Sequence, residues 1–185
     1  EIAQAEASNG KKMANFWIHN EWMMVEKNKM SKSLGNMYNL RDLIDMGYSY
    51  HAIRYFYLTG QYKTQINFTL NNLKAAQNSY DRLKENILGI NDDGKINNKY
   101  LKKFEKAMDN DLNTPVALKI LWEFVKNKNE NGKIQTIKKM DSVFGLDLLK
   151  LNIPKKIIEL AEKRKKARED KQWKVSDKLR EQINK

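Results

Sequence analysis

The chain has 185 residues, 41% of them hydrophobic, and carries 35 Lys and Arg against 23 Asp and Glu, a formal charge of +12. That is enough apolar material for one compact domain or two small ones, which excludes a disordered tail. The absence of cysteine excludes a disulfide framework and any thiolate zinc site within the chain, and the short apolar runs exclude a membrane span, so a cytoplasmic protein without a signal peptide is expected.

A basic surface attracts polyanions, which makes nucleic acid the first partner to test, although a Lys- and Asn-rich proteome gives a similar total. The distribution is more telling. Residues 155–185 hold twelve Lys or Arg and six Asp or Glu, so half of the excess sits in the last sixth of the chain. The sequence opens at Glu1, without Met, inside a helix-forming stretch, and is expected to be part of a longer protein.

In chain order, residues 1–9 predict a helix closed by Gly10. The segments Asn15–His19 and Glu21–Glu26, short and rich in aromatic and branched residues, predict a strand pair before the polar turn KNK. Asn39 is placed to cap a helix over LRDLIDM that ends at Gly47, and Ser49 to cap the next. Thr69 opens a long helix whose Leu73, Ala76, Tyr80, Leu83 and Ile87 recur at steps of three and four. Three more helices are predicted at 98–109, 114–127 and 133–144. The run GLDLLKLNIP, 145–154, reads as a connector, and after it 155–170 and 172–184 predict a basic helical hairpin or one interrupted helix. The expected fold class is therefore mainly α: a short α/β remnant followed by helical bundle domains.

Residues 29–36 read KMSKSLGN, in a loop after the predicted strands. Lys29 and Lys32 supply two point charges, and Ser31 and Ser33 two hydroxyl donors, a set suited to a polyphosphate. When a carboxylate attacks the α-phosphate of ATP, charge grows on the departing pyrophosphate, and mobile ammonium groups that meet it in the transition state lower the barrier. A solvated Lys/Ser loop is the plain alternative, but a given five-letter word arises by chance in such a chain with a probability on the order of 10⁻⁴.

KMSKS at 29–33 resembles the signature loop of class I aminoacyl-tRNA synthetases letter for letter. EIAQAEA at 1–7, NFWIHN at 15–20, LRDLI at 40–44, IRYFYLTGQYKTQINFT at 53–69 and MDNDLNTP at 108–115 are similar to the cysteinyl-tRNA synthetase pattern, from Glu1 to about Arg180. The resemblance implies the C-terminal part of an enzyme that makes cysteinyl-AMP from L-cysteine and ATP with Mg²⁺ and passes the cysteinyl group to tRNA(Cys), with most of its Rossmann catalytic domain outside this chain.

It further implies roles for individual residues. Lys29 and Lys32 are the catalytic lysines, and Lys29, Met30, Ser31, Lys32, Ser33 and His19 form the ATP-binding set, with Trp17 beside His19. A core Trp and a structural His would fit the same two positions, and Glu21 stands where the family has Gly. Glu1 matches a ligand of the family's Zn²⁺, whose other ligands lie upstream, so zinc belongs to the intact enzyme and is not expected here. Arg168, Trp173, Asp177 and Arg180 match the anticodon-binding helices, and the chain stops at Lys185 where the family runs on. Alternatively Trp173, Ser176 and Leu179 form the inner stripe of a helix.

The implied organisation is 1–39, end of the catalytic domain with its loop; 40–68, a stem-contact region in which Arg41, Arg54 and Lys63 meet the tRNA backbone; 69–150, a helical bundle; and 151–185, truncated anticodon-binding helices. A monomer is expected. Two alternatives are a stand-alone RNA-binding module, which would not need KMSKS, and the related cysteine ligase of mycothiol synthesis, which would not need the basic hairpin. The acids of DNDLNT, 109–114, imitate the start of a calcium loop without its Gly or final Glu; Asn113 or Thr114 as an N-cap with Pro115 in the first turn accounts for them better.

Overall fold

A side-chain oxygen that takes up a free amide decides where most helices of this protein begin. The computed structural model describes residues 1–150 and 155–183, with the backbone alone for Lys32 and 155–158. Helix α2 (Leu40–Asp45) starts with a reciprocal cap in which Asn39 accepts from the Asp42 amide and Asp42 accepts from the Asn39 amide. Ser49 accepts from Ala52 at the head of α3 (Tyr50–Leu58), Thr69 from Asn72 at α4 (Leu70–Leu88), Asn97 from Tyr100 at α5 (Asn98–Asp109), and Asn113 from Val116 at α6 (Thr114–Lys126). Such a cap contributes about 1 kcal/mol. Asn113, rather than Thr114, is thus the cap of α6, with Pro115 in its first turn.

Helix α7 (Lys133–Phe144) completes the bundle, in which α5 packs on α6 and α7, and α4 on α3 and α6. The predicted stripe of α4 is its buried face, and Leu73, Leu83, Leu121, Phe124, Ile137, Met140 and Phe144 are fully enclosed. Each such side chain contributes about 1.5–3 kcal/mol by leaving water. Helix α1 (Ile2–Asn9), which ends at Gly10, buries none of its residues, so no comparable energy fixes it.

The sheet differs from the sequence expectation. No strand forms over 15–19, and of 21–26 only β1 (Met24–Val25) is paired on both sides, with β2 (Asn28–Lys29) antiparallel and β3 (Asn67–Phe68) parallel. The turn is Glu26–Lys27, both at positive φ (50° and 65°), not KNK. A two-residue hairpin demands that backbone pair, and here the Lys27 amide is held by Asn67 Oδ1 at 2.8 Å. Aromatic composition marked 15–19, but strand pairing depends on a partner 40 residues away that local pattern does not reveal.

The chain divides into two compact units, Glu1–Leu149 and Lys150–Lys185. In the second, α8 (Lys155–Glu169) and α9 (Trp173–Ile183) pack as a hairpin around a break where Lys171 takes φ 58° and the Gln172 amide bonds the Ala167 carbonyl. Small residues, Ala167 and Ser176, are the buried positions of this pair among the described residues. Residues 151–154 of the connector and 184–185 lie outside the described residues.

The loop between α4 and α5 is tied to the one before α7 by carboxylates. Asp93 accepts from the Gly132 and Lys95 amides, and Glu130 from Lys99 and Asn97, and these bonds hold both carboxyls below their ordinary values. Gly132 itself sits at φ 72°, where a Cβ would come within 2.8 Å of the Asn97 nitrogen. Because the folded-state values are lowered, this stabilisation is present above the ordinary carboxylate range and is lost as pH falls through the lowered values. Urea midpoints are therefore expected to drop on acidification below about pH 4, and Asp93→Asn to lower the midpoint at pH 7 while flattening that acid dependence.

Candidate nucleotide loop and nucleic-acid interface

The signature loop is built around Asn36. Its Nδ2 donates to the Lys29 carbonyl at 3.1 Å and its Oδ1 accepts from the Ser31 amide at 2.9 Å, so one side chain spans the loop. Inside it the Ser31 and Ser33 hydroxyls lie 3.2 Å apart, Lys32–Leu34 form a single 3-10 turn, and Gly35 at φ 62° turns the chain back. Met30 and Tyr38 pack against the core on either side. The result is a short loop with both ends fixed and Ser33 in solvent.

Lys29 ends β2 and is exposed, its Nζ 5.4 Å from the centre of the Trp22 ring. Trp22, Met23, Met24, Lys29 and Gln65 line an open cavity of about 420 Å³. The Lys32 side chain lies outside the described residues. Trp17, 43% exposed, stacks on the exposed His19 with ring centres 6.4 Å apart, so neither residue is in the core. Glu1 is exposed, and among the described residues no group of three or more His, Cys, Asp or Glu could hold a metal ion. One carboxylate is no zinc site, and the donors among the described residues do not by themselves fit that ion.

Two of the three cations assigned to the tRNA backbone have structural partners. The Arg54 Nε donates to the Phe144 carbonyl at the end of α7, and Lys63 pairs with Asp111 at 2.6 Å. Asp111 also accepts from the Tyr62 hydroxyl at 2.7 Å, and both partners hold its carboxyl below the ordinary value. These bonds hold a backbone in which Asp111 and Leu112 both take positive φ, a conformation that costs on the order of 1–2 kcal/mol per residue. Arg41 is exposed on α2.

On the hairpin, Trp173 is 59% exposed while Ser176 is buried, so the tryptophan does not belong to an inner stripe. Arg168 and Trp173 line one cavity; Asp177 and Arg180 instead face each other at 3.9 Å along α9. Sequence reasoning missed Arg164 and Lys165, which line the same cavity one turn before Arg168, and it gave Asn36 no role. Helical spacing from Arg168 would have found the first two; the fixed place of Asn36 within KMSKSLGN was the available sign for the third.

A family model for the class I (C) tRNA synthetase catalytic domain matches residues 1–78, and a DALR domain model matches 103–149. The cysteine–tRNA ligase of Protochlamydia amoebophila is 37% identical over an alignment covering 100% of this chain and 44% of that protein. That of Thermodesulfovibrio yellowstonii is 39% identical, covering 99% and 47%. The chain belongs to the cysteinyl-tRNA synthetase family. A further relative, from Trichodesmium erythraeum, is 41% identical over 72% of the chain and 31% of its own length. The chain thus spans a little under half the length of the first two relatives, and the catalytic-domain match contains the whole loop that Asn36 closes.

Asn36→Ala removes both bonds across that synthetase loop. Each contributes about 1 kcal/mol, so the Ser31 amide is expected to exchange with deuterium roughly thirtyfold faster while the amides of α4 keep their protection.

Proposed function

We propose that this chain is the part of a cysteine–tRNA ligase that carries the ATP signature loop and the tRNA-binding helices. The observation that carries this reading is the loop 29–36, closed by Asn36 within residues matched to a class I catalytic domain. Lys29 and Lys32 act on the pyrophosphate that leaves ATP as the cysteine carboxylate attacks its α-phosphate, with Mg²⁺ accompanying the nucleotide. The Ser31 and Ser33 hydroxyls complete the phosphate contacts, Met30 anchors this ATP-binding loop against the core, and His19 lies at the adenylate side. Their work is in the transition state, where a lysine that meets growing charge lowers the barrier without tightening ATP in advance. Zinc, if the whole enzyme uses it, is held by donors beyond this chain together with Glu1.

Residues 1–39 form the end of the catalytic domain, 40–68 the stem-contact region, 69–150 the helical bundle and 151–185 the anticodon-binding helices. Arg41, exposed and without a structural bond among those described above, is the backbone contact of the stem region. Arg168, Trp173, Asp177 and Arg180 meet the tRNA on the hairpin. The partners are tRNA(Cys), ATP and L-cysteine, and the enzyme works in the cytoplasm as a monomer. In support of the setting, no helix among the described residues is long and apolar enough to cross a membrane.

In a whole enzyme that contains this chain, Lys29→Ala and Lys32→Ala are each expected to lower kcat for cysteine-dependent ATP–pyrophosphate exchange by about 10²–10³, with a much smaller change in KM for ATP. A change confined to KM would assign the lysines to ground-state binding instead.

A further inference from the structure

Trp22 stands just before β1 with the backbone tied on both sides of it: the Glu21 amide donates to the Tyr62 carbonyl at 2.8 Å and the Met24 amide to the Ile66 carbonyl at 2.9 Å. Lys29 lies opposite Met24 across the hairpin. Residues two apart share one face of an extended chain, so Trp22 is the diagonal neighbour of Lys29, a separation that an aromatic ring and a lysine can bridge. They bridge it here. The Lys29 Nζ is 5.4 Å from the centre of the indole, a cation over a π face. The indole is 71% exposed, so packing in the core does not account for its place.

The kind of partner matters for a lysine that must meet phosphate. The other residues lining the cavity at this contact, Met23, Met24 and Gln65, are uncharged, and among the described residues no carboxylate forms an ion pair with Lys29. A carboxylate would neutralise the ammonium and compete with phosphate for its donors. An indole face leaves the charge intact and occupies one side of the ammonium, so N–H donors remain for phosphate oxygens. A solvated lysine gives up its rotamer freedom when it engages a growing charge, whereas one already held over a ring has lost part of that freedom in advance.

We propose that Trp22 is a positioning residue for the signature loop: its ring holds the Lys29 ammonium in place, still charged, as negative charge grows on the departing pyrophosphate. The inference rests on the reading that Lys29 serves that leaving group, and it adds the residue that aims the lysine. Trp22 acts through Lys29 and touches no reacting atom itself.

Two measurements test this. In the chain itself, the proton NMR signal of the Lys29 ε-methylene is expected to show the upfield shift of a group above an indole ring, and Trp22→Leu to abolish that shift while the α4 amide signals stay in place. In a whole enzyme that contains this chain, Trp22→Leu is expected to lower kcat for cysteine-dependent ATP–pyrophosphate exchange about fivefold, with KM for ATP changed less than about twofold. Trp22→Phe, which keeps an aromatic face, should recover most of the loss. In a Lys29→Ala background Trp22→Leu should have no further effect, because the ring then has no ammonium to hold. An unshifted Lys29 signal in the wild-type chain, a kcat unchanged by Trp22→Leu, or an equal loss with and without Lys29 would overturn the positioning role and leave the reading of Lys29 standing. A wild-type kcat in Lys29→Ala would overturn both.

Discussion

The packing of α3 is the constraint on which the first unit depends, because this nine-residue helix touches something different on each side. Phe56 meets Phe68 of β3 edge-on at 5.7 Å, which fixes the sheet below the signature loop. Tyr55 accepts from the Trp122 indole on α6 at 2.9 Å. Arg54 closes the C-terminal end of α7, and His51 pairs with Asp147 at 3.3 Å while stacking on Tyr80 of α4. Burial holds the Tyr80 hydroxyl well above its ordinary pKa, and its proton is committed to the Leu146 carbonyl. Through α3 the sheet that carries the signature loop and the helical bundle are parts of one framework.

This framework explains which basic residues remain for a partner. A charge count treats Arg54 and Lys63 as equal to Arg41, yet Arg54 completes a helix end and Lys63 neutralises Asp111 beside a strained turn. Truncating either would remove a structural bond together with a charge, so a loss of RNA binding would not isolate the charge. On the hairpin the balance is reversed: the buried positions are small, the tryptophan is in solvent, and one guanidinium nitrogen lacks a protein partner. Cations with structural bonds and cations without them thus lie in different parts of the chain, and sequence alone does not sort them.

Much of the helical framework was legible in the sequence because its signals are local. Asn39, Ser49 and Thr69 each precede an apolar period, and each caps the helix it announces. The stripe from Leu73 to Ile87 is a property of one segment, and so is its burial. What was not legible depends on residues far apart: β3 and the hairpin turn rest on Asn67 meeting Lys27, and the Asp111 turn rests on Tyr62 and Lys63. The signature loop is intermediate. Its place in a class I catalytic domain was readable from KMSKS, but the device that shapes it, Asn36 bridging Lys29 and Ser31, needed the fold. Family resemblance supplied the expectation of cysteine specificity, for which no single residue of the chain gives a chemical reason.

Filter binding of the chain to cysteine-specific tRNA and to a tRNA of another anticodon, across a salt series, tests most directly whether these helices read the tRNA of a cysteine-specific synthetase. Tighter binding of the cysteine-specific tRNA at every salt concentration is expected, with Trp173→Ala removing the difference. Equal, steeply salt-dependent binding of both tRNAs, unchanged by Trp173→Ala, would contradict it and leave only a basic helical surface.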